Sequence, residues 1–283
     1  MADADDVLKP RPDPFLRDYL TEAPFPLAFE RSWECRILAQ QSFVRPILDV
    51  GCGEGLFAHI LFEGQIDAGI DPNGRELERA GRLGRYRELI QCTGDRIPKP
   101  DGSYRTIFSN SVLEHIPDLD GVLRELFRLL APGGQMFVTV PSHRFDHYSV
   151  VHTLLRSIGL SSLAERYRKF FNRFWQHHHY YDPAGWKALF TRHGFQVEQC
   201  FMYGSKNLCL LNDFLIPFSL PSMVLKKAVN RWTLLPRLRR FCLAPLAASA
   251  EGLAKQVIDV PEGGLVFLKL GKSSQAGSHP LAA

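Results

Sequence analysis

Three glycines within five residues, Gly51, Gly53 and Gly55, follow the short apolar run Ile47–Val50 and precede a helical stripe of Leu56, Phe57, Ile60 and Leu61. A strand that passes through a glycine-rich turn into a helix is the opening unit of an α/β sheet. Glycine lets the backbone turn tightly and admits a ligand against it, while the helix N-terminus offers free N–H groups. Asp71 ends the next apolar run, 20 residues after Gly51. A carboxylate at that spacing can accept hydrogen bonds from both hydroxyls of a ribose, so the pair predicts an adenosine-type ligand. A dinucleotide fingerprint needs a further glycine at position 56, where Leu56 stands, and the phosphate loop G-x-x-x-x-G-K-[ST] is absent. The segment from Ile47 to Gly55 carries Asp49 and Glu54 and no Lys or Arg. An acidic loop of this kind suits a cationic centre, such as a sulfonium, better than a pyrophosphate.

The alternation continues beyond the loop. Apolar runs at 47–50, 66–70, 88–92, 104–109, 135–140, 195–203 and 265–270 predict seven strands, and helical spacing covers 73–82, 118–130 and 183–193. Ala131, Pro132, Gly133 and Gly134 form a helix stop. Pro10, Pro12, Pro14, Pro24 and Pro26 predict an extended arm over residues 1–30, followed by a helix over 30–42. The last residues, 273–283, are poor in apolar bulk and predict a disordered tail.

With 283 residues, 45% of them hydrophobic, the chain can bury a core without a disulfide or metal staple. Its six cysteines (Cys35, Cys52, Cys92, Cys200, Cys209 and Cys242) form no C-x-x-C pair, which argues against a zinc ribbon or a thioredoxin-type site. The acidic, proline-rich N-terminus lacks the features of a signal peptide, and no uninterrupted 18-residue apolar run is present, so a cytoplasmic location is expected. Lys and Arg number 34 against 30 Asp and Glu, a net charge of +4 that does not imply nucleic acid.

The motif ILDVGCGEG at 47–55 resembles the nucleotide loop of class I S-adenosylmethionine (SAM) dependent methyltransferases. The resemblance continues through GIDPN at 69–73, GDRIPKPDGSYRTIFSNSVLEHIPD at 94–118 and LRELFRLLAPGGQMFVTVPS at 123–142. It implies a Rossmann-like methyltransferase fold: a seven-stranded, mostly parallel twisted sheet over residues 31–272, its final strand antiparallel, with helical insertions after strands 5 and 6. By the same resemblance Gly51, Cys52, Gly53 and Gly55 line the methionine moiety of SAM, with Asp49 nearby. Asp71 holds the ribose beside Pro72, Gly94 and Asp95 border the adenine, and Asn110 and Ser111 pass under the sulfonium. The family often has Phe-Asp ahead of the fourth strand, where Tyr104-Arg105 stands here.

Methyl transfer needs alignment of an acceptor lone pair and exclusion of water, and a general base only where the acceptor holds a proton. The candidate catalytic side chains are His143 and His147, after the fifth strand, and His115, at a position common in the family near the cofactor. The consecutive His177, His178 and His179 fit a pocket lid better than a metal site, and no metal is expected. The insertion over 143–180 mixes aromatics with Arg144, Arg156, Arg166, Arg168, Lys169 and Arg173, and reads as a basic roof suited to an acidic or amphiphilic acceptor. In the second insertion, 205–262, the stretch from Phe214 to Ala250 has six bases, no acid and abundant apolar bulk. That composition fits either a membrane-surface helix at the inner face of a membrane or a cap on the domain. The expected function is SAM-dependent methyl transfer to a small or lipid-linked acceptor, at oxygen, leaving S-adenosylhomocysteine. The alternative is a non-catalytic protein of the same fold that binds a partner or membrane through its basic helices.

Overall fold

The computed structural model describes residues 6–255 and 259–273, so the expected tail beyond 273 lies outside the described residues. Two short strands, β1 (Val7–Leu8) and β2 (Phe43–Val44), pair antiparallel and bracket helices α1 (Phe15–Glu22) and α2 (Phe25–Leu38). The alternating part runs β3 (Ile47–Val50), α3 (Leu56–Leu61), β4 (Ile66–Asp71), α4 (Gly74–Leu83), β5 (Tyr86–Gln91), β6 (Tyr104–Asn110), α5 (Leu119–Leu129) and β7 (Leu130–Pro141). The first insertion supplies α6 (Val150–Ser157) and α7 (Ser161–Phe174), and α8 (Pro183–Arg192) leads into β8 (Gln196–Tyr203). The second supplies α9 (Lys206–Leu215), α10 (Leu220–Val229) and α11 (Pro236–Lys255) before β9 (Leu265–Gly271).

The strands assemble in the order β5-β4-β3-β6-β7-β9-β8. The first five are parallel, and β9 runs antiparallel to both its neighbours, as expected. Strand β3 is buried on both faces, as a central parallel strand must be. The strand order reverses between β3 and β6, and ligands of open α/β sheets bind beyond the carboxyl ends at such a switch point. Helix α5 packs Leu119, Val122, Leu123, Leu126 and Leu129 on the sheet, its N-terminus capped by Asp118. Two apolar clusters flank the sheet. One joins Leu16, Tyr19, Trp33, Phe43, Phe62 and Phe137, and the other joins Leu126, Met136, Trp186, Phe190 and Leu268.

Residues 6–30 are not an extended arm. They hold α1 and the start of α2, with Leu16, Tyr19 and Ala28 buried, so the expected boundary at residue 31 falls inside a helix of the same core. Pro14 and Pro24 stand at the N-cap positions and Pro26 in the first turn, where a missing N–H costs no helical hydrogen bond. The Pro-Gly-Gly segment after α5 likewise enters β7 rather than a separate loop.

Candidate active site

After β3 the chain turns so that the N–H groups of Gly51 and Cys52 both donate to the Ile70 carbonyl at 2.9 Å, tying the loop to β4. Gly51 has φ +75°, and a Cβ there would meet Val112 at 2.5 Å. The neighbouring Gly53 faces open space, with nothing within 4 Å of an added Cβ. Its N–H donates to Asp71 Oδ2 at 3.0 Å, and the Asn73 N–H donates to Oδ1 at 2.8 Å, so both Asp71 oxygens are held at the loop. Asp49 is buried and accepts from the Tyr86 hydroxyl at 2.7 Å; burial pushes its carboxyl up to about 7. The Pro72 carbonyl accepts from Gln91 Nε2 at 3.2 Å. The open space at Gly53, beside the Asp71 carboxylate, leaves room for a ligand such as SAM. Glu54 belongs elsewhere. It accepts from Lys226 Nζ at 2.5 Å and Trp232 Nε1 at 2.6 Å and pairs with Arg79, so the second insertion is latched to the glycine loop. Any acidity facing a ligand therefore comes from Asp49 and Asp71, not from Glu54.

Gly94 packs against Val122. Asp95 is exposed, and a hydrogen bond from Thr93 holds its carboxyl below the usual range. Beyond β6, Asn110 and Ser111 meet a group that sequence reasoning missed. Glu34, fully buried on α2, accepts from Asn110 Nδ2 at 2.8 Å, Ser111 Oγ at 2.8 Å, Arg31 at 2.6 Å and the Tyr203 hydroxyl at 3.1 Å. A buried carboxylate needs such a full set of donors. The only local sign in the sequence is an acid flanked by Trp33 and Cys35, on a helix that also carries Glu30, Arg31 and Arg36.

A cavity of about 300 Å³ opens against Ser111. Its walls come from Glu30 and Arg31 of α2, Glu114 and His115 after β6, Phe145, Phe171, Trp175 and His177 of the first insertion, and Asp213, Ile216 and Met223 of the second. Glu114 is buried, and burial pushes its carboxyl up to about 8. Burial also raises Glu30, to about 7, against the pull of Arg31. The same desolvation lowers His115, and it takes His177 down to about 4. The two rings stack obliquely at 5.2 Å. The cavity thus holds neutral imidazoles beside carboxyls that titrate near neutrality.

Of the three histidine candidates only His115 lines this cavity; His143 and His147 do not. The N–H of His143 donates to the Tyr181 carbonyl at 3.1 Å, and the ring of His147 packs edge-on against His152 at 4.9 Å. His147, His152 and Glu165 place ligand atoms within 4.8 Å of one another, the one such group found among the described residues. Arg168 already bonds Glu165 at 3.0 Å and Asp146 at 3.2 Å, supplying positive charge there. In the histidine run, His177 lines the cavity, while the N–H groups of His178 and His179 donate to the Glu114 carbonyl at 2.8 and 3.3 Å and fix the loop after β6.

The expected basic roof is corrected. Phe145, Tyr148, Phe171 and Trp175 line the cavity, but Arg144 pairs with Glu262, Arg168 with Asp146, and Arg156, Arg166, Lys169 and Arg173 are exposed. The cavity wall carries Glu30, Glu114 and Asp213 against Arg31. In the second insertion the helical stretch Lys206–Val229 spans 24 residues and is long and apolar enough, by length and composition, to cross a membrane, with little of it buried. It is nevertheless tied to the domain: Asp213 accepts from the Val150 N–H at 2.7 Å, and Lys226 holds Glu54.

A family model described as a methyltransferase domain matches residues 28–200, more than half of the chain. A sterol 24-C-methyltransferase of Aspergillus fumigatus is 36% identical over 96 residues, covering 31% of this chain and 26% of that protein. A ubiquinone biosynthesis O-methyltransferase of Vibrio atlanticus is 31% identical over 112 residues, covering 38% and 47%. The chain therefore spans about a quarter to a half of the length of these curated relatives. Among solved structures, a SAM-dependent methyltransferase of Thermotoga maritima, described as a possible histamine N-methyltransferase, superposes with TM-score 0.55 at 15% identity. That match covers 91% of this chain and 94% of the other, and it shows the same fold.

Proposed function

This chain belongs to the class I SAM-dependent methyltransferases, and from that premise we propose that it methylates an oxygen of a small or lipid-linked acceptor held in the cavity beside Ser111. The observation that carries this reading is the cavity itself. It is mostly apolar, it abuts the carboxyl edge of β6, and it contains two carboxyls whose pKa values sit near neutrality. SAM supplies a methyl group already activated on sulfur, so the protein's part is alignment, water exclusion and proton removal. In this reading Gly51, Cys52, Gly53 and Gly55 line the methionine moiety near Asp49, Asp71 beside Pro72 holds the ribose, and Gly94 and Asp95 border the adenine. Asn110 and Ser111, fixed by Glu34, form the floor between cofactor and acceptor.

Glu114 is the proposed general base. A base works best when its pKa lies near the working pH, and Glu114 combines that property with a place among the residues lining the cavity and a buried Oε2 atom that has no hydrogen-bond partner. Glu30 is the second carboxyl able to receive the proton, and His115 positions the acceptor against Ser111. Relatives named for ubiquinone biosynthesis and sterol methylation support an apolar acceptor. The apolar, little-buried stretch Lys206–Val229 supports peripheral contact with a membrane.

The test uses SAM labelled on its methyl group, incubated with the protein and a cell extract that is then split into lipid, aqueous and protein fractions. Label in the lipid or small-molecule fraction, absent with Asp71→Ala, is the expected result. Label confined to protein, or none despite measurable SAM binding, would overturn it.

A further inference from the structure

Next to the closed cavity lies an open apolar groove, walled on one side by Phe170 and Phe174 of α7 and on the other by Phe214 and Phe218. These four side chains are between 57% and 64% exposed, an unusual concentration of aromatic surface for a soluble face. The groove and the cavity share Phe171, Trp175, Asp213 and Ile216, so the two adjoin along a mostly apolar wall. Nothing in the sequence joined the two insertions, since the walls come from segments about forty residues apart.

The charge beside the groove selects the occupant. Arg166, Lys169 and Arg173 stand at i, i+3 and i+7 on α7, all exposed and without an acidic partner among the described residues. A helix that presents exposed aromatics beside a basic stripe is built to lie in a membrane interface, with its cations at anionic headgroups and its rings in the acyl boundary. A soluble protein partner would have to supply both a large apolar face and a matched acidic row. An anionic bilayer supplies both at once.

We propose that the groove takes the hydrocarbon tail of a lipid from an anionic membrane surface, with α7 and the segment 214–218 seated in that surface and the tail running past Trp175 toward the cavity. This rests on the proposed methyl transfer only for what the head of that lipid does next; the tail-binding itself is independent of catalysis.

The experiment uses the full chain, without SAM, and vesicles of phosphatidylcholine with or without phosphatidylglycerol. Co-sedimentation is expected with the phosphatidylglycerol vesicles, and neutralising Arg166, Lys169 and Arg173 to Gln should weaken it about a hundredfold or more. Vesicles whose acyl chains carry bromine should quench tryptophan fluorescence, and Trp175→Phe should remove that quenching. Thermal melts of each variant establish that it is folded. Equal binding to both vesicle types, or binding without quenching of Trp175, would overturn the proposal. So would a dimer in solution that Phe170→Ala/Phe174→Ala makes monomeric without any vesicle binding, since a second copy would then cover the face. Quenching without methyl transfer to any extract fraction would sink the proposed function and leave this inference standing. Transfer to a water-soluble acceptor without vesicle binding would do the reverse.

Discussion

Gly51→Ala tests the glycine loop with a single carbon atom. At φ +75° an L-residue carries a left-handed penalty of about 1–2 kcal/mol. The new Cβ would also meet Val112 Cγ1 at 2.5 Å, Cγ2 at 2.6 Å and Cβ at 3.0 Å. Neither methyl is the end of a long flexible chain, so the loop or the turn after β6 must move, an overpacking cost of about 1–3 kcal/mol. Gly53→Ala is the internal control: φ is +51° and nothing lies within 4 Å of the added carbon, which leaves the backbone term alone. Val112→Ala is the second control, because it deletes both methyls that clash. The expected order in thermal unfolding is Gly51→Ala well below Gly53→Ala, at about 2–4 °C for each kcal/mol. In a Val112→Ala background the cost of Gly51→Ala should fall toward that of Gly53→Ala, the remainder being the contact with the residual Cβ at 3.0 Å. SAM titration has no such control, because an alanine at position 53 would enter the space given to the cofactor, so both substitutions should weaken SAM and the melts alone decide the steric question. Equal losses at the two glycines, or no relief from Val112→Ala, would refute the steric reasoning.

Asp71→Ala should weaken SAM by more than tenfold in titration calorimetry, since charge-assisted hydrogen bonds are worth about 1.5–3 kcal/mol; unchanged affinity would remove Asp71 from the site. Burial raises Glu114 to about 8, so its basic form grows as pH rises. Methyl transfer should accordingly increase between about pH 7 and 9, while Glu114→Gln should be slower by about a hundredfold or more and lose that slope. A wild-type rate flat across the range would exclude Glu114 as the base. His115→Ala, on the cavity wall, should lower kcat/KM by about tenfold through lost positioning, whereas His143→Ala and His147→Ala should leave it unchanged. Comparable losses from all three would place the acceptor elsewhere.

The glycine loop, the place of Asp71 at a strand end and the succession of strands along the chain were legible because each rests on short-range periodicity and turn chemistry. The N-terminal helices were not, because proline reads as a breaker wherever it stands, whereas Pro14 and Pro24 occupy the positions before a first turn that tolerate it. The buried cluster around Glu34 joins side chains 76 to 169 residues away, and no local pattern announces such a junction. Composition gave the first insertion its aromatics and bases but not their directions. Along α7 Phe171 turns inward to the cavity while Lys169 and Arg173 turn to solvent, so the wall's charge came out acidic where a basic one was expected. The histidines divide in a similar way: His115 and His177 line the cavity, whereas His143 and His147, which follow the carboxyl edge of β7, do not.

Strand β9, the last to be synthesised, occupies the place between β7 and β8. While the chain is still emerging from the ribosome, β8 has no sheet neighbour and β7 has one open edge. Both remain so until the residues up to Gly271 have cleared the tunnel. The cofactor half of the sheet, by contrast, has all its strands once β7 is out. A nascent chain could therefore assemble its nucleoside site well before it has an acceptor pocket, whose walls wait for Met223 and Leu265. The cavity is then the last part of the site to take shape.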